Sequence, residues 1–226
     1  MLQTNESLPV VPRVPALWSL RGHAWLVLLR LPAGDPARTA FVPSGQRETV
    51  KAAFSVLMCV AYDEAPCGPY RELLFIPGTL AFGEGRLPSI SRILVSTWDS
   101  VVNGRLNWGI PKDRATFDWS TADGVDRWRI ADDGREICEL EFFAPTGPRI
   151  PLRSAWLPGR LGTMAQQFDG RTYYYRPEAS GSLRLCRLSR WRFDAALFPD
   201  LARASVLMTL RVEGFSMVFP LARTVG

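Results

Sequence analysis

The sequence predicts a mostly-β protein, one domain whose strands curl into a barrel. Three observations carry this. Short apolar runs separated by Gly, Pro and Asp dominate the chain, as strands between turns do. The 3.6-residue periodicity of amphipathic helices is scarce. The 226 residues are 47% hydrophobic and 22% charged, enough to bury a sizeable core. No internal repeat divides the chain. Residues 33–45 and 144–162 are the only linker-like stretches, and neither is long enough to mark a boundary. Residues 1–226 therefore read as a single domain, with 1–14 extended or loosely ordered.

Taken in order, residues 24–31 (AWLVLLRL) and 53–62 (AFSVLMCVAY) read as buried strands. Residues 70–76 (YRELLFI) form another, ended by Pro77-Gly78, with 80–82 continuing beyond the turn. Residues 89–102 fit either a strand followed by a helical turn or one short helix. Residues 115–120 alternate apolar and polar, as a half-buried strand does. Residues 126–131 and 136–143 suggest a hairpin around Asp132-Asp133-Gly134. A calcium loop there would need an EF-hand spacing that is missing. Residues 172–176, 182–191 and 204–219 add strands, for about ten in all. Residues 194–201 suggest a helical turn broken by Pro199.

Charge and cysteine usage narrow the function classes. The formal net charge is +5, and the basic residues are scattered rather than interleaved with aromatics along a groove. No nucleic-acid partner is expected. The densest basic stretch, 184–192, alternates with Leu185, Leu188 and Trp191 and reads as the polar side of a strand. Cys59, Cys138 and Cys186 lie in apolar runs and read as small core residues. With one histidine in the chain, no Cys/His metal site is expected, and no cofactor. The first fourteen residues lack a secretory pattern, and no apolar run is long enough to span a bilayer. The expectation is a cytoplasmic protein with no membrane partner.

Lysine usage is the sharpest chemical signal. Of 27 basic residues, only Lys51 and Lys112 are lysines. Arginine is always charged, whereas a lysine amine can lose its proton and attack a carbonyl. Lys51 has no distinctive setting. Lys112 sits in Asn107-Trp108-Gly109-Ile110-Pro111-Lys112-Asp113-Arg114 and is the candidate nucleophile. Asp113 beside it would pair with the amine, if it faced the same way. On a strand, neighbours face opposite sides.

Tyr70-Arg71-Glu72, Gly104-Arg105 and Pro111-Lys112, in that order, resemble the acetoacetate decarboxylase family over residues 20–219. Arg21, just ahead of the first strand, and the apolar run 215–221 fit the same pattern. The resemblance implies a cone-shaped antiparallel β-barrel with a few flanking helices, of α+β class, assembled as a homo-oligomer. It implies a lysine that forms a Schiff base with a ketone. The cationic iminium then stabilises the carbanion left by bond cleavage. Family decarboxylases carry a second lysine directly after the first, where this chain has Asp113. They also place two glutamates around the lysine. Glu72 matches the later one, and an ungapped register puts Leu57 at the earlier, with Ser55 on the same strand face.

The resemblance thus implies a divergent Schiff-base lyase acting on a small oxo acid or ketone. Lys112 and Glu72 would be catalytic, Glu72 being placed in a pocket by its buried flanks Leu73, Leu74 and Phe75. Arg21 and Arg105 would bind substrate, with Trp108 and Tyr62 walling the site. Asp63 ranks behind them, and His23 reads as structural. The alternative is a non-catalytic barrel that binds an apolar small molecule. The direction of Lys112 relative to Asp113 discriminates the two.

Overall fold

The structure is a computed structural model that describes residues 8–156 and 158–226. Of the amino-terminal stretch expected to be extended, residues 1–7 lie outside the described residues. Residues 8–14 have no regular structure, and Val14 N–H donates to Asn103 Oδ1 at 2.8 Å.

The strands in chain order are β1 (Trp18–Arg30), β2 (Ser55–Glu64), β3 (Tyr70–Ile76), β4 (Thr79–Phe82), β5 (Gly85–Pro88) and β6 (Arg92–Val95). After helix α1 (Trp98–Trp108) come β7 (Lys112–Arg114), β8 (Thr116–Ala122), β9 (Val125–Asp132) and β10 (Arg135–Arg153). A short helical turn precedes β11 (Met164–Phe168), β12 (Arg171–Tyr175), β13 (Glu178–Phe193), β14 (Ser205–Phe219) and β15 (Arg223–Val225). Ten of them form one barrel-like sheet in the order β7-β6-β3-β2-β1-β14-β13-β10-β9-β8. Every pair in it is antiparallel except β6 with β7. A small sheet, β11-β12-β15, stands apart from it. No helix among the described residues is long and apolar enough to cross a membrane.

The two faces of β1, β2, β3 and β6 pack into different cores. On one side Trp25, Leu57, Cys59, Leu73, Phe75 and Leu94 meet Trp128, Ile130, Leu140 and Phe142 of β9 and β10. Trp25 meets Trp128 edge-on, ring centroids 5.0 Å apart, a pair worth about 0.5–1.5 kcal/mol beyond its buried area. On the other side Leu20, Ala24, Val60, Tyr62, Tyr70, Leu74 and Ile93 pack with Trp108, Val212 and Phe215. The two-residue alternation of a strand makes both faces from one sequence.

Several sequence expectations shift. β1 begins at Trp18 rather than 24, so Arg21 lies within it. The ambiguous 89–102 segment resolves into strand then helix, and the helix runs on to Trp108, absorbing Gly104-Arg105. The 144–162 stretch is no linker, because β10 continues through it to Arg153. Residues 194–198 do form a helical turn before Pro199: Leu197 and Phe198 N–H donate to the Asp194 carbonyl at 3.0 and 2.9 Å, and Asp194 Oδ1 caps it by accepting from Ala196 N–H at 3.0 Å. The hairpin at Asp133-Gly134 is present, both residues at positive φ (45° and 79°) as a tight hairpin turn requires.

Candidate functional site

Helix α1 starts where the Thr97 side chain accepts from Ser100 N–H at 3.3 Å, with Asp99 in the first turn to favour the dipole. It ends at Gly109, whose left-handed φ of 62° and close packing on the Tyr173 ring suit glycine. The chain then reverses into β7, which runs parallel to β6 with Lys112 opposite Ile93 and Asp113 opposite Leu94. Ile93 and Leu94 belong to different cores. Lys112 and Asp113 are thereby sent to opposite faces.

Asp113 is held there by two arginines. It pairs with Arg92 Nη1, and Arg105 Nη2 donates to its Oδ1 at 2.8 Å. Arg105 Nε also donates to the Lys112 carbonyl oxygen at 2.9 Å. Arg105 thus fixes the backbone of the lysine strand and is not part of the cavity wall, contrary to the substrate-binding expectation. Burial lowers its guanidinium pKa, and Asp113 opposes the shift. Gly104 supplies the other half of the Gly-Arg pair. A Cβ there would stand 2.7 Å from Lys112 Cδ and 2.9 Å from Cε, so its absence makes room for the lysine stem.

The Lys112 side chain is 4% exposed, and its amine lies among four polar groups. Nζ donates to Glu72 Oε2 and to Ser100 Oγ, both at 3.0 Å, and stands 4.9 Å from the centre of the Tyr70 ring. Tyr62 OH donates to the other Glu72 oxygen at 3.3 Å. Burial, reinforced by the Glu72 charge, holds the Tyr62 phenol well above the ordinary tyrosine value. Burial does the same for Tyr70, with Tyr62 and Glu72 adding to it. Both phenols therefore stay protonated.

This cluster opens on a cavity of about 310 Å³. Its wall is otherwise almost wholly apolar, drawn from β1, β2, β3, β14 and the segment between β10 and β11. Trp108 lines it, with its indole N–H donating to the Pro220 carbonyl at 2.6 Å and its ring edge-on to Trp18. Among the described residues, Lys112 is the only basic and Glu72 the only acidic side chain on this wall.

The structure brings four of the six predicted site residues together: Lys112, Glu72, Tyr62 and Trp108. Arg21 points the other way, its side chain 67% exposed and 3.9 Å from Glu64, because Leu20 beside it faces the cavity. His23 and Asp63 are 3.6 Å apart outside the cavity. Leu57 and Ser55 lie on the opposite face of β2, where Ser55 Oγ donates to the Pro77 carbonyl at 2.9 Å. The position that faces Glu72 is Val60, directly across the strand pair. Two residues of the site were given no role from sequence, although Tyr70 stood in the quoted Tyr70-Arg71-Glu72 motif. Tyr70 is two residues before Glu72 on a strand and so shares its face. Ser100 is one helical turn before Gly104 and so shares the face turned to Lys112.

The fold has solved counterparts. Acetoacetate decarboxylase from Legionella pneumophila superposes with a TM-score of 0.71 at 10% identity, over 97% of this chain and 93% of that one. An acetoacetate decarboxylase-like enzyme from Sphingomonas wittichii RW1 gives 0.67 at 15% identity, covering 94% of each. The chain therefore has the acetoacetate-decarboxylase-like fold, and both counterparts are enzymes. By sequence, it is 31% identical over 110 residues to the protein NEOXANTHIN-DEFICIENT 1 of Oryza sativa subsp. japonica. That match spans 48% of this chain and only 36% of the rice protein. No family model matches the sequence.

Proposed function

We propose that this chain, with its acetoacetate-decarboxylase-like fold, is a Schiff-base-forming lyase acting on a ketone or oxo acid through Lys112. One observation carries the reading. Lys112 projects its amine into an apolar cavity beside Glu72, while Asp113 is turned away and consumed by Arg92 and Arg105. A surface lysine paired with Asp113 would have argued for a structural role.

The chemistry follows from the contacts. A proton passes from Nζ to Glu72 Oε2 across 3.0 Å, leaving the neutral amine that nucleophilic attack requires. Nζ adds to the carbonyl carbon, and its surplus proton moves to the oxygen to give a neutral carbinolamine. Loss of that hydroxyl as water, protonated by Glu72, gives the iminium. The iminium draws the electron pair of a bond at the adjacent carbon, either carbon–carbon or carbon–hydrogen. Tyr62 orients Glu72 through its phenol, and Ser100 and Tyr70 fix the amine. Protonation at carbon and addition of water to the iminium then free Lys112.

Borohydride trapping tests this. The protein is incubated with a panel of ketones, aldehydes and oxo acids, reduced, and mapped by mass spectrometry. A reduced adduct on Lys112, absent in Lys112→Arg, is expected. An unmodified Lys112 across the whole panel would refute the reading.

A further inference from the structure

The walls of the cavity say more about the ligand than the lysine does. A small oxo acid needs a cation for its carboxylate, beyond the amine that attacks its carbonyl. No arginine among the described residues lines the cavity. Arg21 is on the outer face, and Arg105 is committed to Asp113 and the Lys112 carbonyl. Arg153, Arg160 and Arg176, next in the chain to the wall residues Leu152, Leu161 and Tyr175, are exposed and outside its wall. Lys112 is already matched by Glu72. A substrate carboxylate would add a third, unpaired charge to an apolar enclosure.

Shape points the same way. On β3 the wall continues from Glu72 through Leu74 to Ile76, roughly 13 Å at the rise of a strand. Leu26 and Met58 border the same end. A dry cavity of about 150 Å³ accommodates benzene, so the 310 Å³ here holds roughly a dozen non-hydrogen atoms.

We infer that the site takes an uncharged, elongated aldehyde or ketone of roughly a dozen non-hydrogen atoms, its carbonyl at Lys112 and its apolar chain along Leu74 and Ile76. The inference rests on the Schiff-base reading above for its reaction, though not for its ligand class. With no carboxylate to lose, the bond broken from the iminium is an α carbon–hydrogen bond or the carbon–carbon bond of a β-hydroxy ketone. In the second case the β-hydroxyl gives its proton to Glu72, and the carbon that bears it departs as a second carbonyl as the carbon–carbon electron pair passes to the iminium.

The test uses methyl ketones from 2-butanone to 2-pentadecanone and 2-oxo acids of matching chain length. Two readouts are taken on the intact chain: yield of borohydride adduct on Lys112, and quenching of tryptophan fluorescence, to which Trp18 and Trp108 on the wall contribute. Half-saturation is expected to fall about fourfold per added methylene, equivalent to ~0.8 kcal/mol, and to level off near a dozen non-hydrogen atoms. Matched oxo acids are expected to bind at least tenfold more weakly. Short oxo acids that trap as well as the long ketones would overturn the ligand class and leave the Schiff base standing. Long ketones that quench but never trap would support the ligand class and defeat the Schiff base. No binding of either series would overturn the inference.

Discussion

Glu72→Gln removes the charge that faces Lys112 while keeping an oxygen for Tyr62. At 3.0 Å and an effective dielectric constant of about 20, the Lys112–Glu72 attraction is about 5.5 kcal/mol. Desolvation of two side chains that are 4% and 5% exposed offsets much of it, so the intact pair adds little net stability. Breaking the pair is another matter, because it leaves one buried charge alone, at a cost of about 3–5 kcal/mol. In a domain of this size that lowers Tm by roughly 6–20 °C. Adding Lys112→Met removes the stranded charge, so the double variant is expected to be more stable than Glu72→Gln alone. Urea denaturation of the wild type, both single variants and the double variant closes the cycle. Additive losses, with the double variant the least stable, would show that the two side chains are not coupled and would refute the buried pair.

Other consequences can be checked on the same material. Gly104→Ala places a methyl group within 2.7 Å of the Lys112 stem and is expected to cost about 1–3 kcal/mol; trapping at Lys112 should fall at least ~10-fold, and unchanged trapping would show that the stem does not pass over Gly104. Asp113→Ala takes the shared carboxylate from two buried guanidiniums and is expected to cost about 3–5 kcal/mol, whereas Arg21→Ala should stay within ~0.5 kcal/mol and leave trapping intact, both read by denaturant titration. Burial pushes the Cys67 thiol up to about 11 despite the opposing influence of Lys112. Below that value the reactive thiolate is the minor form, so iodoacetamide labelling of Cys67 should quicken about tenfold per pH unit between pH 7 and 10. A plateau near pH 9, mapped by peptide mass, would contradict this burial.

Much of the site was legible because its signals are local. Lys112 stood out by composition, and Glu72 by the buried run that follows it. Tyr62 and Trp108 lie in apolar segments that had to face a core. The misplaced residues failed for reasons of register. Arg21 was assigned from its position ahead of a strand, yet β1 starts earlier and alternation turns the arginine outward. Leu57 was placed at the family's earlier glutamate by an ungapped count, yet it lies on the far face of β2, and the β2–β3 pairing sets Val60 opposite Glu72. A slip of one residue moves a side chain to the other face, and only the pairing of distant strands decides it. Arg105 lies in the helix that forms behind β7, so it reaches the lysine backbone rather than the cavity.

The sequence by itself determined that the chain is mostly β, where most of its strands run, and which lysine is chemically distinctive. These follow from local alternation, turn residues and composition, which need no knowledge of what packs on what. Only the tertiary structure decided that Lys112 and Asp113 part company, that two cores share one set of strands, and that among the described residues the cavity carries no second charge pair. Those outcomes depend on parallel pairing of β6 with β7 and on a helix placed between them. They are long-range events, in which residues 40 apart, such as Glu72 and Lys112, meet because buried charges are tolerated only where each finds its partner.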